Sequence, residues 1–170
     1  MDETAREEFR AYVAARSGAL LGTATLLTGD RALAEDLVQT ALARTYLAWG
    51  RIRRREAVDA YCRRALVTTY ATWWRRKWRG EVPTAVLPDR AGPDLYGQVD
   101  ETLPLRAALA RLPRRMRAVV VLRYWDDLPE AEVAELLGCS VGTVKSQASR
   151  ALAKLRADLD VVALRGEETR

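Results

Sequence analysis

Histidine is absent from this 170-residue sequence. That removes the commonest general base and the commonest neutral metal ligand, so most hydrolase and metalloenzyme schemes lose their usual residues. Only two cysteines occur, Cys62 and Cys139, with neither a CxxC nor a metal-ligand spacing. They read as structural thiols of a reducing compartment, which sets a cytoplasmic expectation. No run approaches the roughly 20 uninterrupted apolar residues of a membrane span, so no membrane insertion is expected. The opening residues, MDETAREEFR, are acidic and contain no apolar run, so no signal peptide is visible. There is no Gly-rich phosphate loop and no nucleophile motif. The best carboxylate pair is Glu35–Asp36, and adjacent helical positions point about 100° apart rather than at one substrate. An enzyme is therefore not expected, nor are catalytic residues, a metal or a cofactor.

What is present is apolar periodicity and positive charge. Hydrophobic residues make up 49% and charged residues 30%, the balance of a globular chain. The net charge of +5 is concentrated. Residues 51–80 hold ten cations (Arg51, Arg53, Arg54, Arg55, Arg63, Arg64, Arg75, Arg76, Lys77 and Arg79) against Glu56 and Asp59, a local +8 that leaves −3 elsewhere. A concentrated basic block points to a polyanion.

In chain order, helical periodicity and punctuation predict an all-α fold of two small helical domains. Residues 4–28 form a helix that Gly29 can end, and Asp30 can cap the next. The second helix, roughly Arg31–Trp49, buries Leu33, Leu37, Ala41 and Ala48, and Gly50 closes it. After the loop RIRRRE a third helix runs from about Glu56 to Arg79, with Tyr61, Ala65, Thr68 and Thr72 along one line and Gly80 at its end. Residues 81–100 carry Pro83, Pro88, Pro93, Gly92 and Gly97, which predicts a flexible linker between domains at 1–80 and 101–160. Helices resume near Thr102, a candidate cap. Leu105, Ala108, Leu109 and Leu112 share one face, and Pro113 suits the first turn of a helix that reaches about Trp125. From about Asp158 the chain is expected to fray, with a tail at 161–170.

The stretch Leu128–Leu155, LPEAEVAELLGCSVGTVKSQASRALAKL, organises the second half. Gly138 can take the left-handed conformation that ends a helix, and Ser140 can cap the next. Val144, Ala148, Ala151 and Leu155 then form one apolar face. Thr143, Lys145, Ser146, Ser149 and Arg150 project elsewhere, as the polar and cationic groups of a major-groove reader do. An ordinary helical hairpin with a solvated charged face has the same pattern.

VAELLGCSVGTVKSQASRALAKLR resembles the DNA-reading end of extracytoplasmic-function sigma factors, a group of the sigma-70 family. The signal lies in Gly142, Thr143, Val144, Lys145 and Ser146, followed by Arg150-Ala151. The front half matches too: LAEDLVQTALARTYLAW is similar to the family's polymerase-binding helix, with Asp36, Leu37, Val38 and Gln39 as its core motif. The family more often has an acid at Thr40, Asn at Thr68, Trp near Tyr61, Ser or Thr at Pro129 and Arg at Gln147.

The resemblance implies a promoter-directing subunit. Asp36, Val38, Gln39, Thr40 and Ala43 would dock on the clamp coiled coil of core RNA polymerase. The loop Gly50–Glu56, with Arg51, Arg53 and Arg54, and the start of the third helix would receive a base flipped from the −10 element, with Tyr61, Arg64 and Thr68 along the strand. Trp73, Trp74, Arg75 and Arg76 would hold opened DNA, cations on phosphates and flat rings on bases. Arg123, Thr143, Lys145, Ser146, Ser149 and Arg150 would meet the −35 duplex. The partners implied are core polymerase and promoter DNA. An anti-sigma protein is admitted too, although no residue here specifies one. The competing reading is a helix-turn-helix regulator that does not bind core polymerase through its first half.

Overall fold

The computed structural model describes residues 2–52, 54–78 and 103–167. These residues are helical without a strand among them, and the chain divides into two compact units. The expected linker at 81–100, the Gly80 stop and the Thr102 cap lie outside the described residues, as do Arg53 and Arg79.

The first unit consists of α1 (Glu3–Thr28), α2 (Arg31–Ala48), a 3-10 turn (Trp49–Arg51) and α3 (Arg55–Trp78). Gly29, at φ 71°, ends α1, and the Asp30 side chain accepts from the Leu33 N–H at 2.8 Å to start α2. Gly50 does not act as a stop: it lies inside the 3-10 turn, without a positive φ. The core is a seam of small side chains interleaved with Leu37, Leu66 and Tyr70. Ala34, Leu37, Val38, Ala41, Thr45 and Ala48 are buried along α2 at helical spacing, facing Val58, Cys62, Ala65, Leu66, Thr69 and Tyr70 of α3. The buried hydroxyls of Thr45 and Thr69 donate to the carbonyls of Ala41 and Ala65, so each is satisfied within its own helix.

The α1 helix covers this pair through aromatic edges. The Phe9 ring meets Tyr46 and Trp49 edge-on at 5.0 and 5.1 Å, and Tyr12 tilts against Trp49 at 5.7 Å. Such pairs contribute about 0.5–1.5 kcal/mol each beyond their buried area. Arg16 Nε adds a bond of 2.9 Å to Asp59 Oδ1 on α3. Burial, then the nearby Cys62 thiol and Asp59 carboxylate, push the Tyr12 hydroxyl well above its ordinary range, so the ring stays neutral.

The second unit holds α4 (Leu103–Arg111), α5 (Arg114–Val120), a π-helical turn (Val121–Trp125), α6 (Glu130–Leu137) and α7 (Val141–Glu167). Pro113 sits one position earlier than expected, as the cap residue before α5. Arg117 is buried, and its Nη2 donates to the carbonyls of Ala110 and Leu112 across the α4–α5 turn. The helix expected to run unbroken to Trp125 instead widens at Val121, where the Asp126 N–H reaches back five residues to the Val121 carbonyl. The core gathers Ala108, Leu109, Leu112 and Val120 around Ala151 and Leu155 of α7. The tail also departs from expectation, because the α7 backbone stays helical beyond Asp158, through Glu167. No described helix is long and apolar enough to cross a membrane.

Candidate nucleic-acid and polymerase interfaces

The two units each leave one helix with a buried stripe and a second, outward face. On α2 the stripe takes Val38, which is only 6% exposed. Val38 therefore lies beneath its exposed neighbours on the same helix. Asp36, Gln39 and Ala43 are exposed, and Thr40 is half-buried, its hydroxyl donating to the Asp36 carbonyl at 2.9 Å. Leu47 continues this line at 75% exposure. Sequence reasoning left Leu47 unassigned, although the 36, 40, 43, 47 spacing that places it is visible in the sequence. Glu35 is paired with Arg31 at 3.0 Å.

At the head of α3 the 3-10 turn and the basic loop enclose a shallow recess of about 440 Å³, lined by Arg51, Ile52, Arg54, Ala57 and Tyr61. Two cations on its rim and an exposed phenol at its side give it one charged edge and one flat wall. Ile52 lies in the loop and Ala57 in the first turn of α3, both within the stretch expected to hold the flipped base, although neither was singled out. Arg64 is exposed one turn along from Tyr61, and Thr68 follows, half-buried, its hydroxyl donating to the Arg64 carbonyl at 2.7 Å. At the far end Arg75 and Arg76 are exposed. The two tryptophans there differ in setting. Both are half-buried, but the Trp74 ring also meets the buried Tyr70 edge-on at 5.8 Å, which ties it to the core.

In the second unit the turn between α6 and α7 is closed as its residues require. Gly138 takes φ 64°, the Cys139 N–H bonds the Ala134 carbonyl at 2.9 Å, and Ser140 Oγ accepts from the Thr143 N–H at 3.0 Å. Val144, Ala148, Ala151 and Leu155 are buried. Lys145, Ser146, Ser149 and Arg150 lie exposed as one continuous patch. Thr143 is more occupied than expected: besides its N–H, its hydroxyl lies 2.9 Å from Ser140 Oγ, so its first task is the cap.

Arg123 also departs from the simple picture of a DNA-facing cation. Its side chain is 24% exposed. Its Nη1 donates to the Leu128 carbonyl, its Nη2 lies 3.9 Å from Glu130, and its guanidinium sits 5.6 Å from the Tyr124 ring centroid. These contacts brace the turn that leads from the π-helical segment into α6. That segment leaves Tyr124 and Trp125 at 54% and 61% exposure.

Family models described as Sigma-70 region 2 and Sigma-70, region 4 match residues 6–80 and 102–155. The chain belongs to the extracytoplasmic-function group of the sigma-70 family. It is 45% identical over 166 residues to the RNA polymerase sigma-E factor of Streptomyces coelicolor, covering 95% of this chain and 94% of that one. It is 34% identical over 123 residues to the ECF RNA polymerase sigma factor SigM of Mycobacterium tuberculosis, covering 72% and 62%. Among solved structures, the sigma factor RpoE of Bartonella quintana, in complex with the anti-sigma factor NepR, aligns with a TM-score of 0.73 at 25% identity, over 91% of this chain and 98% of that one.

As an RNA polymerase sigma factor, the chain joins core polymerase and directs initiation at promoters; sigma factors as a class are initiation factors without enzymatic activity. A regulator lacking the polymerase-binding half is not favoured, because the region 2 match spans the whole first unit. The region 2 match covers the α2 face and the α3 recess, and the region 4 match covers the α7 patch.

The bracing of Arg123 makes a prediction about stability. Arg123→Ala removes a charged donor from a carbonyl in the turn and should lower unfolding free energy by about 1–3 kcal/mol. Urea titration of wild type and variant measures this. Unchanged stability with weakened DNA binding would instead make Arg123 a DNA contact alone.

Proposed function

We propose that the work is divided by face. Residues 1–80 would hold core polymerase and the −10 element, 101–160 the −35 element, with 81–100 as connector and 161–170 as tail. Asp36, Gln39, Thr40 and Ala43, extended by Leu47, dock on core polymerase; a carboxylate and an amide beside an apolar tip suit a basic amphipathic helix. The recess of Arg51, Ile52, Arg54, Ala57 and Tyr61 takes a base turned out of the −10 strand, with Arg64 and Thr68 alongside. This recess is the observation that carries the reading, because two cations and an exposed aromatic ring line one cavity. Trp73, Arg75 and Arg76 hold opened DNA, and Trp74 supports them from the core side.

On α7, Lys145 and Arg150 donate to base edges, Arg bidentately and Lys as a point charge, and Ser146 and Ser149 add hydroxyls. Thr143 secures the helix start that faces phosphate. No catalytic role is included. The setting proposed is the cytoplasm, where core polymerase works. An anti-sigma protein is included as a regulatory partner, on the strength of the solved relative bound to one.

Two substitutions test the division. Asp36→Arg should weaken binding to core polymerase by about tenfold or more while melting stays unchanged, as for an exposed interface charge. Wild-type affinity for core would remove Asp36 from that interface. Trp73→Ala should impair transcription from a linear duplex promoter more than from one with a pre-opened bubble, since base stacking worth about 1–3 kcal/mol matters most while strands separate. Equal losses on both templates would remove Trp73 from opening.

A further inference from the structure

Lys145 reaches across from α7 to the first turn of α6. Its Nζ lies 3.7 Å from Glu130 Oε2, and the other carboxylate oxygen, Oε1, lies 3.9 Å from Arg123 Nη2. Glu130 is therefore a carboxylate held between two cations, one of them in the patch placed at the −35 duplex. Its side chain is 34% exposed, and that of Lys145 is 64% exposed. An acid beside a DNA-reading surface carries an electrostatic cost, because it repels phosphate. Its position at the start of α6 earns some helix-dipole stabilisation. That does not require contact with Lys145 on the next helix.

We infer that Glu130 is a specificity-determining positioning residue that tethers Lys145 and so withholds it from indiscriminate phosphate contacts. The inference rests on the reading of Lys145 as a −35 contact. An untethered lysine is a charge on a flexible four-carbon stem, able to find any backbone oxygen within reach. A tethered one is confined to a small arc. The 3.7 Å ion pair leaves the three donors of the ammonium available to acceptors on a base edge while the attraction to Glu130 persists. On a matching duplex the tether is kept. On an unrelated duplex Lys145 gains a phosphate only by leaving Glu130, and the ion pair is subtracted from binding that is otherwise almost wholly electrostatic. Arg123, held in place by its bond to the Leu128 carbonyl, lies 3.9 Å from the other carboxylate oxygen and attracts Glu130 away from any outward movement of Lys145.

The test uses holoenzyme assembled from core polymerase and the full chain. Affinity is measured at one fixed salt concentration for a promoter duplex recovered from a transcript start and for an unrelated duplex of equal length. Glu130→Gln should tighten the unrelated duplex about two- to fivefold, the scale of an exposed ion pair, and leave the promoter duplex unchanged or weaker. Glu130→Asp keeps a first-turn charge but withdraws the carboxylate by one methylene, and should shift the ratio in the same direction. Both effects should vanish in a Lys145→Ala background. Equal shifts on both duplexes, or none, overturn the role of Glu130. If Lys145→Ala itself binds both duplexes like wild type, the placement of Lys145 at DNA fails, and the role of Glu130 falls with it.

Discussion

The burial of Val144, Ala148, Ala151 and Leu155 decides what α7 can touch. Val144 and Leu155 each contribute about 1.5–3 kcal/mol on leaving water, and the two alanines let the neighbouring helices approach closely, so rolling the helix about its axis gives up both large terms and the close fit. Lys145, Ser146, Ser149 and Arg150 are outward because the apolar stripe is inward. The turn before the helix then sets its angle of entry. Gly138 supplies the left-handed residue, and Ser140 supplies the first hydrogen bond of the next helix. The same logic holds in the first unit, where the buried seam between α2 and α3, with Leu37 and Leu66 at its centre, leaves Asp36, Gln39 and Leu47 on one helix, and Tyr61 and Arg64 on the other, facing out.

Much of this was legible in the sequence. The caps at Asp30 and Ser140, the left-handed glycines at 29 and 138, and the buried line on α7 all follow from residue types whose local preferences agree with the fold. The positions that sequence reasoning misplaced share a different cause. Gly50 is inside a turn, not a stop, because a 3-10 segment continues where an α-helix ends. The π-helical widening at Val121 has no periodic signature, since it shifts hydrogen bonding by one residue without changing the run of apolar side chains.

Side-chain pairing was the least legible level. Arg123 and Glu130 are separated by a turn, and Glu130 and Lys145 by a helix, so only the folded packing brings the three together. Val38 shows the same gap in the other direction. It stands inside the motif that led to the expectation of a polymerase-binding helix, yet its side chain faces the core. A motif marks a helix; burial decides which of its members a partner can reach. Trp73 and Trp74 were indistinguishable as neighbours in a basic run, and only the edge contact with Tyr70 separates them.

The account rests on the first unit joining core polymerase and the two units together choosing where transcription begins. Sequencing of transcripts made in vitro by core polymerase plus this chain on genomic DNA tests that directly. The account predicts start sites that core alone does not use, each preceded by the same two short motifs at a fixed spacing, one placed for α7 and the other for the α3 recess. Start sites no different from those of core alone, or new ones without a shared pair of motifs, would contradict it.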